Sequence, residues 1–569
     1  MMSMQMEMLK KSPFFLDDAK IRWVKAHIDS MTEDEKIGQL FCLSVFEIDW
    51  EALRKYSQEY RVGGIMCRAM PAKDICEVVG YLQNTSKVPL LIAANLENGA
   101  TGITMDATDI ASNLELGAAG SKECAYKMGY ACAAQGGSVG ANWAFAPVVD
   151  IECNWRNPIT GTRVFGTDPQ LVAELGGAYI QGARSMGMAS APKHFPGDGM
   201  DERDQHLVTS INSCDCERWD QTYGKVYKHC IENGAMSIMV GHIMLPAYSR
   251  KLCPGIRDEE IMPATCAPEL LQGLLRQELG FNGLLVTDDS NMAGTGLLID
   301  RRKMLPKMIA SGCDMLLFSH HPDEDVQFVK QGLREGLLTA ERLDEAVMRI
   351  LAMKAALELP EKKQAGTLIP RLDLAASILA DKTYKGYADE IADKAVTLVK
   401  DREKILPLSP MKYRRIYLHS IVDCRDVRGN EARVTAAIKS ALEREGFLVT
   451  VHDNLAPAMK RAPYYMDMIN SCDLIVYVLN VATYSNKTTN RLRWPNLNYP
   501  IYRAAIPTMM ISFANAYHLV DMPRISTAVN AYRFNESTVS TVVDKLMGRS
   551  PFNGSNPVDP FCGMWDTRL

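Results

Sequence analysis

The sequence predicts an α/β protein built as a (β/α)8 TIM-type barrel followed by a smaller three-layer α/β/α sandwich domain. Three observations carry that reading. Short, continuous apolar runs alternate with amphipathic helical segments through residues 1–358. Run after run ends in polar side chains, as strands do when they open onto a barrel mouth. After a polar stretch near Pro360 the alternation resumes, without any Gly-rich phosphate loop.

Taken in order, the first helix starts at Thr32, which can cap it while Glu35 closes a capping box, and the helix runs to Phe41. Candidate strands follow at Gly64–Met66, Leu90–Ala94, Trp143–Val149, Met188–Ala191, Ser237–Val240, Leu284–Thr287 and Met315–Phe318. Helical patterns such as Leu175–Met186, Glu269–Glu278 and Asp325–Glu335 lie between them. Strands that are apolar throughout, rather than alternating, belong to parallel sheets buried on both faces, and their number favours a closed barrel over an open sheet. A helix over Thr339–Leu357 stops before Pro360, and the polar stretch Glu361–Pro370 reads as a linker.

The predicted division is therefore a catalytic barrel over 1–358, a linker over 359–386 and a sandwich over 387–569 with an extended tail from Gly548. Within the sandwich, strands are expected at Arg415–Ser420, Leu448–His452, Leu474–Leu479 and Thr508–Phe513. Helices are expected at Ala388–Leu398, Glu431–Glu445, Ala456–Ile469 and Ser537–Met547. The missing glycine fingerprint argues against a dehydrogenase, and no cofactor is assigned.

Composition removes other classes. A chain of 569 residues exceeds what one core organises. With 47% hydrophobic and 23% charged residues and a net charge of -5, it has no basic field for nucleic acid. Met1–Phe15 lacks the apolar core of a secretory signal or membrane span. Fifteen cysteines without a CxxC pair fit a reducing compartment, so a cytoplasmic monomer or homodimer with no membrane partner is expected, and the sequons at Asn486 and Asn535 carry no weight.

The chemistry concentrates in two stretches. Ala191–His206 packs Lys193, His194, Asp198, Asp201, Arg203, Asp204 and His206 among Pro192, Pro196, Gly197 and Gly199, which excludes a regular helix or strand. Its second half is expected to swing. In Asp204-x-His206 the carboxylate can hold one imidazole nitrogen protonated and orient the ring. The other stretch, Leu284–Met292, delivers Asp288 and Asp289 at a strand end, where alternation lets one of them face the mouth. A carboxylate there can serve as metal ligand, base or nucleophile. No HExxH pattern or calcium loop accompanies it, so no metal is assigned.

These residues resemble a known family. Lys193-His-Phe-Pro-Gly-Asp-Gly followed by Asp204-Gln-His206 is similar to the signature loop KHFPGHGxxxxDxH of glycoside hydrolase family 3, in its β-N-acetylglucosaminidase branch. Phe145-Ala-Pro-Val-Val-Asp150, Asn157-Pro, Arg163-Val-Phe-Gly166, Thr287-Asp-Asp-Ser-Asn-Met292 and the opening helix from Glu33 to Phe41 resemble other stretches of that family. Ala395 to Leu408 extends the likeness into the second domain.

The resemblance implies a retaining, exo-acting β-N-acetylhexosaminidase acting on a carbohydrate substrate. Asp288 would be the nucleophile, with Asp289 the alternative, and His206 oriented by Asp204 the acid/base. Lys193 and His194, with Arg163 beside them, would hold sugar hydroxyls. A neutral imidazole does not repel an anion, so a phosphorylase using phosphate as acceptor stays open beside the hydrolase. An inactive sugar-binding protein is the competing class, and the joint presence of Asp288, Asp204 and His206 argues against it.

Two departures stand out. Asn95-Leu-Glu97-Asn-Gly99 replaces the family's Asp-Gln-Glu-Gly-Gly, whose Asp grips hydroxyls 4 and 6. Asn95 loses that charge, which implies an altered preference, toward a galacto-configured or substituted hexosamine. Asp198 replaces the motif's second histidine and leaves the Asp204–His206 pair intact.

Overall fold

The computed structural model describes residues 6–422, 430–453, 464–486, 491–492 and 501–569. It divides into two compact units, one of Met1–Asp109, Ala125–Asn154 and Asp168–Tyr384, the other of Ile110–Cys124, Trp155–Thr167 and Lys385–Leu569. The stretch 359–386 carries the helices Leu359–Gln364 and Leu372–Leu379 and the start of Lys382–Ala395, where the sequence suggests a linker. Leu359, Ala375 and Leu379 are buried, and that apolar burial holds these short helices against the first unit.

The first unit is the expected barrel. Its eight strands are β1 Phe41–Val45, β2 Gly64–Cys67, β3 Leu91–Ala94, β4 Trp143–Ala144, β5 Ala189–Ser190, β6 Ser237–Val240, β7 Leu284–Asp289 and β8 Met315–Leu317. All pair in parallel in the order β5-β4-β3-β2-β1-β8-β7-β6. Between β5 and β6 the ring is drawn together by the parallel bridge Phe195↔Val240 and by the Met239 N–H donating to the Pro192 carbonyl at 3.1 Å.

The strand that sequence reading missed is β1. Its apolar run continues without a break from the helix Glu33–Gln39, whose capping box at Thr32 and Glu35 forms as expected. Gly63 explains how β2 can start so close to that helix: a Cβ there would lie 2.0 Å from the Gln39 carbonyl oxygen. Strand burial is complete in β2, β3 and β6, the pattern of a sheet covered by helices outside and packed side chains inside. Trp143, fully buried, donates its indole N–H to Ser237 Oγ at 2.7 Å and thereby ties β4 to β6 across the interior.

The second unit holds a six-stranded sheet: β9 Thr397–Asp401, β10 Arg415–Val422, β11 Leu448–Val451, β12 Leu474–Asn480, β13 Thr508–Ser512 and β14 Thr527–Asn530. Its order is β9-β14-β13-β12-β10-β11, parallel except for the antiparallel pair β9–β14. Alternate residues of these strands feed two cores. Leu474, Val476 and Val478 pack with Val434, Ile438 and Val542, whereas Ile475, Tyr477 and Leu479 pack with Met468 and Leu519. That two-sided burial makes the predicted three-layer sandwich. Helices over Asn430–Arg444 and Glu536–Leu546 match expectation, and residues 456–463 of the predicted helix over 456–469 lie outside the described residues. Among the described residues no helix is long and apolar enough to cross a membrane.

Candidate active site

The carboxyl ends of β2 to β7 bring together most of the predicted residues. β7 ends in the two carboxylates, and the structure separates them. A register shift against β8, between Met315↔Val286 and Leu317↔Asp289, places a bulge at Thr287–Asp288. Bulges re-aim side chains next to active sites. Here Asp288 is buried and turned to the mouth, while Asp289 accepts the Asn291 backbone N–H at 2.9 Å and its side-chain amide at 2.7 Å. The turn is fastened from behind by Arg301, whose Nη1 donates to the Ser290 carbonyl at 2.7 Å and whose Nε and Nη2 meet Asp325 at 2.8 and 2.6 Å.

Asp288 Oδ1 accepts the Asp289 N–H at 2.8 Å, whereas its buried Oδ2 has no hydrogen-bond partner among the described residues. His194 Nε2 lies 4.0 Å from Oδ2. Burial works against ionisation of this carboxyl, but the fields of His194 and His206 together with the Asp289 N–H outweigh it and hold its pKa below the usual aspartate value. The group stands ionised, one oxygen uncommitted.

His194 is positioned by Asp150, in the segment that follows β4. Asp150, fully buried, accepts from His194 Nδ1 at 2.6 Å and from the His194 and Asp198 backbone N–H groups at 3.1 and 2.8 Å. The contact fixes Nδ1 as donor and aims Nε2 at Asp288. Beside it Lys193 Nζ lies 2.8 Å from Glu97 Oε1 and donates to Asn95 Oδ1 at 3.2 Å, so Lys193 joins the ends of β3 and β5 in one polar patch. Arg163 belongs to the second unit, on the turn Gly161–Arg163, where its carbonyl accepts from Asn113 at 2.6 Å.

The loop after Lys193 is built on Gly197, at φ +117°, where a Cβ would fall 2.1 Å from the Tyr223 ring. Its substituted residue Asp198 is buried and accepts from Gln205 Nε2 at 3.3 Å, and Gln205 Oε1 accepts the His242 backbone N–H at 2.8 Å. This chain of bonds folds the second half back toward β6. Asp204 and His206 then pair at 2.6 Å through Nδ1, the bent conformation the spacing requires. In this structure the arm is anchored by two backbone bonds: Ala293 and Gly294 N–H donate to the His206 and Gln205 carbonyls, both at 3.1 Å.

Three further participants are given no role by the sequence, although His242 is one of the polar residues that follow a strand. Gln205 lies between Asp204 and His206 and has no assigned part in the sequence reading. His242, at the end of β6, is buried, which lowers its pKa. Its Nε2 lies 2.9 Å from the Asp289 carbonyl, so that nitrogen donates, while Nδ1 meets Thr265 Oγ1 at 2.9 Å as a neutral acceptor. Arg68, just beyond β2, has a buried Nε with no hydrogen-bond partner among the described residues, and burial lowers its pKa against the fields of Asp289 and Glu97. Its position directly after a β-strand was the available signal.

Eight parallel strands closing on a mouth where an ionised carboxylate meets oriented imidazoles define a (β/α)8-barrel enzyme. Residues 32–353 match the family model described as Glycosyl hydrolase family 3 N terminal domain. Over 566 residues, 99% of this chain and 100% of the relative, the sequence is 44% identical to a β-N-acetylglucosaminidase/β-glucosidase of Cellulomonas fimi. A solved structure named β-glucoside phosphorylase BglX matches with a TM-score of 0.93 at 42% identity, covering 99% of this chain and 100% of that one. A family 3 β-N-acetylglucosaminidase from Paenibacillus sp. str. FPU-7 shares the fold at TM-score 0.77 and 23% identity, over 93% and 99% of the two chains. The chain belongs to glycosyl hydrolase family 3, as its loop and strand motifs indicated.

Proposed function

We propose that this enzyme is a retaining, exo-acting β-N-acetylhexosaminidase that cleaves terminal β-linked N-acetylglucosamine, or a related hexosamine, through a covalent glycosyl-aspartate. The observation that carries the reading is the buried, ionised Asp288 with Oδ2 uncommitted. Oδ2 attacks the anomeric carbon as the glycosidic bond breaks, and His206 Nε2, the nitrogen not held by Asp204, gives its proton to the leaving oxygen. The same nitrogen then takes a proton from water, which displaces Asp288. Lys193, His194, Asn95 and Glu97 hold the sugar hydroxyls. We place the enzyme in the cytoplasm as a monomer or homodimer.

A second reading is phosphorolysis. An imidazole acid/base puts no negative charge beside an incoming anion, and the similar solved structure bears the name of a phosphorylase. Turnover of nitrophenyl β-GlcNAc, β-GalNAc and β-glucoside, with and without phosphate, tests both. Free sugar alone supports hydrolysis, sugar 1-phosphate supports phosphorolysis, and no turnover of any of them sinks the glycosidase reading.

The same panel bears on Asn95. Asn95→Asp restores a carboxylate beside Lys193, and a charge-assisted hydrogen bond to hydroxyl 4 should change the β-GlcNAc to β-GalNAc ratio of kcat/KM about tenfold in favour of the gluco sugar. An unchanged ratio would remove Asn95 from specificity. For His194→Asn the acid limb of kcat/KM should move to higher pH, because the leading field opposing the burial of Asp288 is gone and its pKa rises. A limb that stays put or moves down contradicts that account.

A further inference from the structure

We propose that the rim next to His206 is an apolar leaving-group subsite, so that the natural substrate is a β-glycoside of an aryl or alkyl aglycone rather than a saccharide chain. The inference rests on the glycosidase reading above. Leu207 and Val208 directly follow the acid/base candidate, yet they are 42% and 37% exposed. Leu297 and Leu298, a short way beyond Asp288, are 65% and 45% exposed.

Backbone bonds bring these two pairs of residues together. The Ala293 N–H donates to the His206 carbonyl at 3.1 Å, and Thr209 Oγ1 donates to the Gly294 carbonyl at 2.7 Å. From that anchor the Leu297 N–H bonds the Ala293 carbonyl at 3.0 Å and the Leu298 N–H the Thr295 carbonyl at 2.9 Å. Four large apolar side chains are therefore carried on two segments stitched together beside the proton donor. Exposed apolar clusters of this kind on a soluble protein mark binding surfaces.

The chemistry of the occupant follows from its place. The imidazole delivers its proton to the leaving oxygen, so whatever that oxygen carries departs past Leu207 and Val208. A saccharide leaving group would need donors and acceptors for its hydroxyls, and aliphatic side chains offer none. In the same loop Arg203 Nη2 is already paired with Asp201 Oδ2 at 2.6 Å, which leaves it less free to take up a sugar hydroxyl.

The test is a homologous series of n-alkyl β-glycosides from ethyl to octyl, below their micellar concentrations, on the glycone the enzyme prefers. Leaving-group basicity is nearly constant along it while apolar area grows. We expect kcat/KM to rise about twofold per methylene, roughly half of what full burial would give. The octyl-to-ethyl ratio should collapse in a Leu297→Ser/Leu298→Ser variant and, separately, in Leu207→Ser, exposed sites where folding is not at stake. A flat series with good turnover overturns the subsite and leaves the glycosidase reading intact. Failure to cleave any member or any nitrophenyl glycoside overturns the glycosidase reading itself. If sedimentation shows a wild-type dimer that the leucine variants dissociate, with the chain-length slope unchanged, the patch is a contact between copies and the subsite is wrong.

Discussion

Asp288→Asn is expected to lower kcat/KM by ~10⁴-fold or more on every substrate, while the protein stays folded. The substitution is nearly isosteric. The bond that locates the side chain, from the Asp289 N–H to Oδ1, survives it, because an amide oxygen accepts as a carboxylate does. What disappears is the uncommitted nucleophilic oxygen and the negative charge that His194 and His206 stabilise. The covalent role is checked with Asp288→Gly and azide. Azide entering from the face vacated by the carboxylate, with departure of the aglycone, gives an α-glycosyl azide by one inversion. Wild-type rates in Asp288→Asn would transfer the role to Asp289, whose side chain is engaged by Asn291.

How far the site was legible in sequence depends on the range of the interactions that build it. Strand ends and the Asp204–His206 pair were readable because their signals are local: apolar runs, turn residues and a two-residue spacing. Choosing Asp288 over Asp289 was possible only by family likeness. Alternation says one side chain points inward, but the bulge against β8 that decides which is a property of two strands, not one. Asp150 ends the family-like stretch Phe145–Asp150, and nothing local to that stretch assigns it a part. Its partner His194 lies 44 residues away, and the bond between them exists only once β4 and β5 are side by side.

β1 illustrates the opposite failure, where a local signal was present and ambiguous. Leu40–Val45 continues the apolar face of the preceding helix, and a short apolar run does not reveal where a helix stops. Closure of the barrel settles it, since β1 supplies the register for both β2 and β8. The exchange of the motif's histidine for Asp198 shows a related limit. In sequence it was a departure without consequence, whereas in the fold its buried carboxylate accepts from Gln205, directly beside His206 in the chain.

His206→Gln should separate substrates by their leaving groups. For alkyl glycosides, whose oxygen departs only when protonated, kcat/KM should fall by about 10³-fold. For 2,4-dinitrophenyl glycosides, which need no proton, the fall in the glycosylation step should be within about tenfold. A uniform loss across both would mean that His206 only shapes the loop. The variant that probes the choice of acceptor is His206→Glu. The replacement can still exchange a proton, but after glycosylation it stands as a carboxylate beside the glycosyl-enzyme, where at close range two like charges repel by a few kcal/mol at intermediate dielectric. Water is indifferent to that charge and phosphate is not. If wild-type turnover rises with phosphate, the rise should vanish in His206→Glu while hydrolysis persists, because the acceptor is chosen by the charge of the acid/base in its deprotonated state; a phosphate response unchanged by the carboxylate would place the selection elsewhere in the mouth.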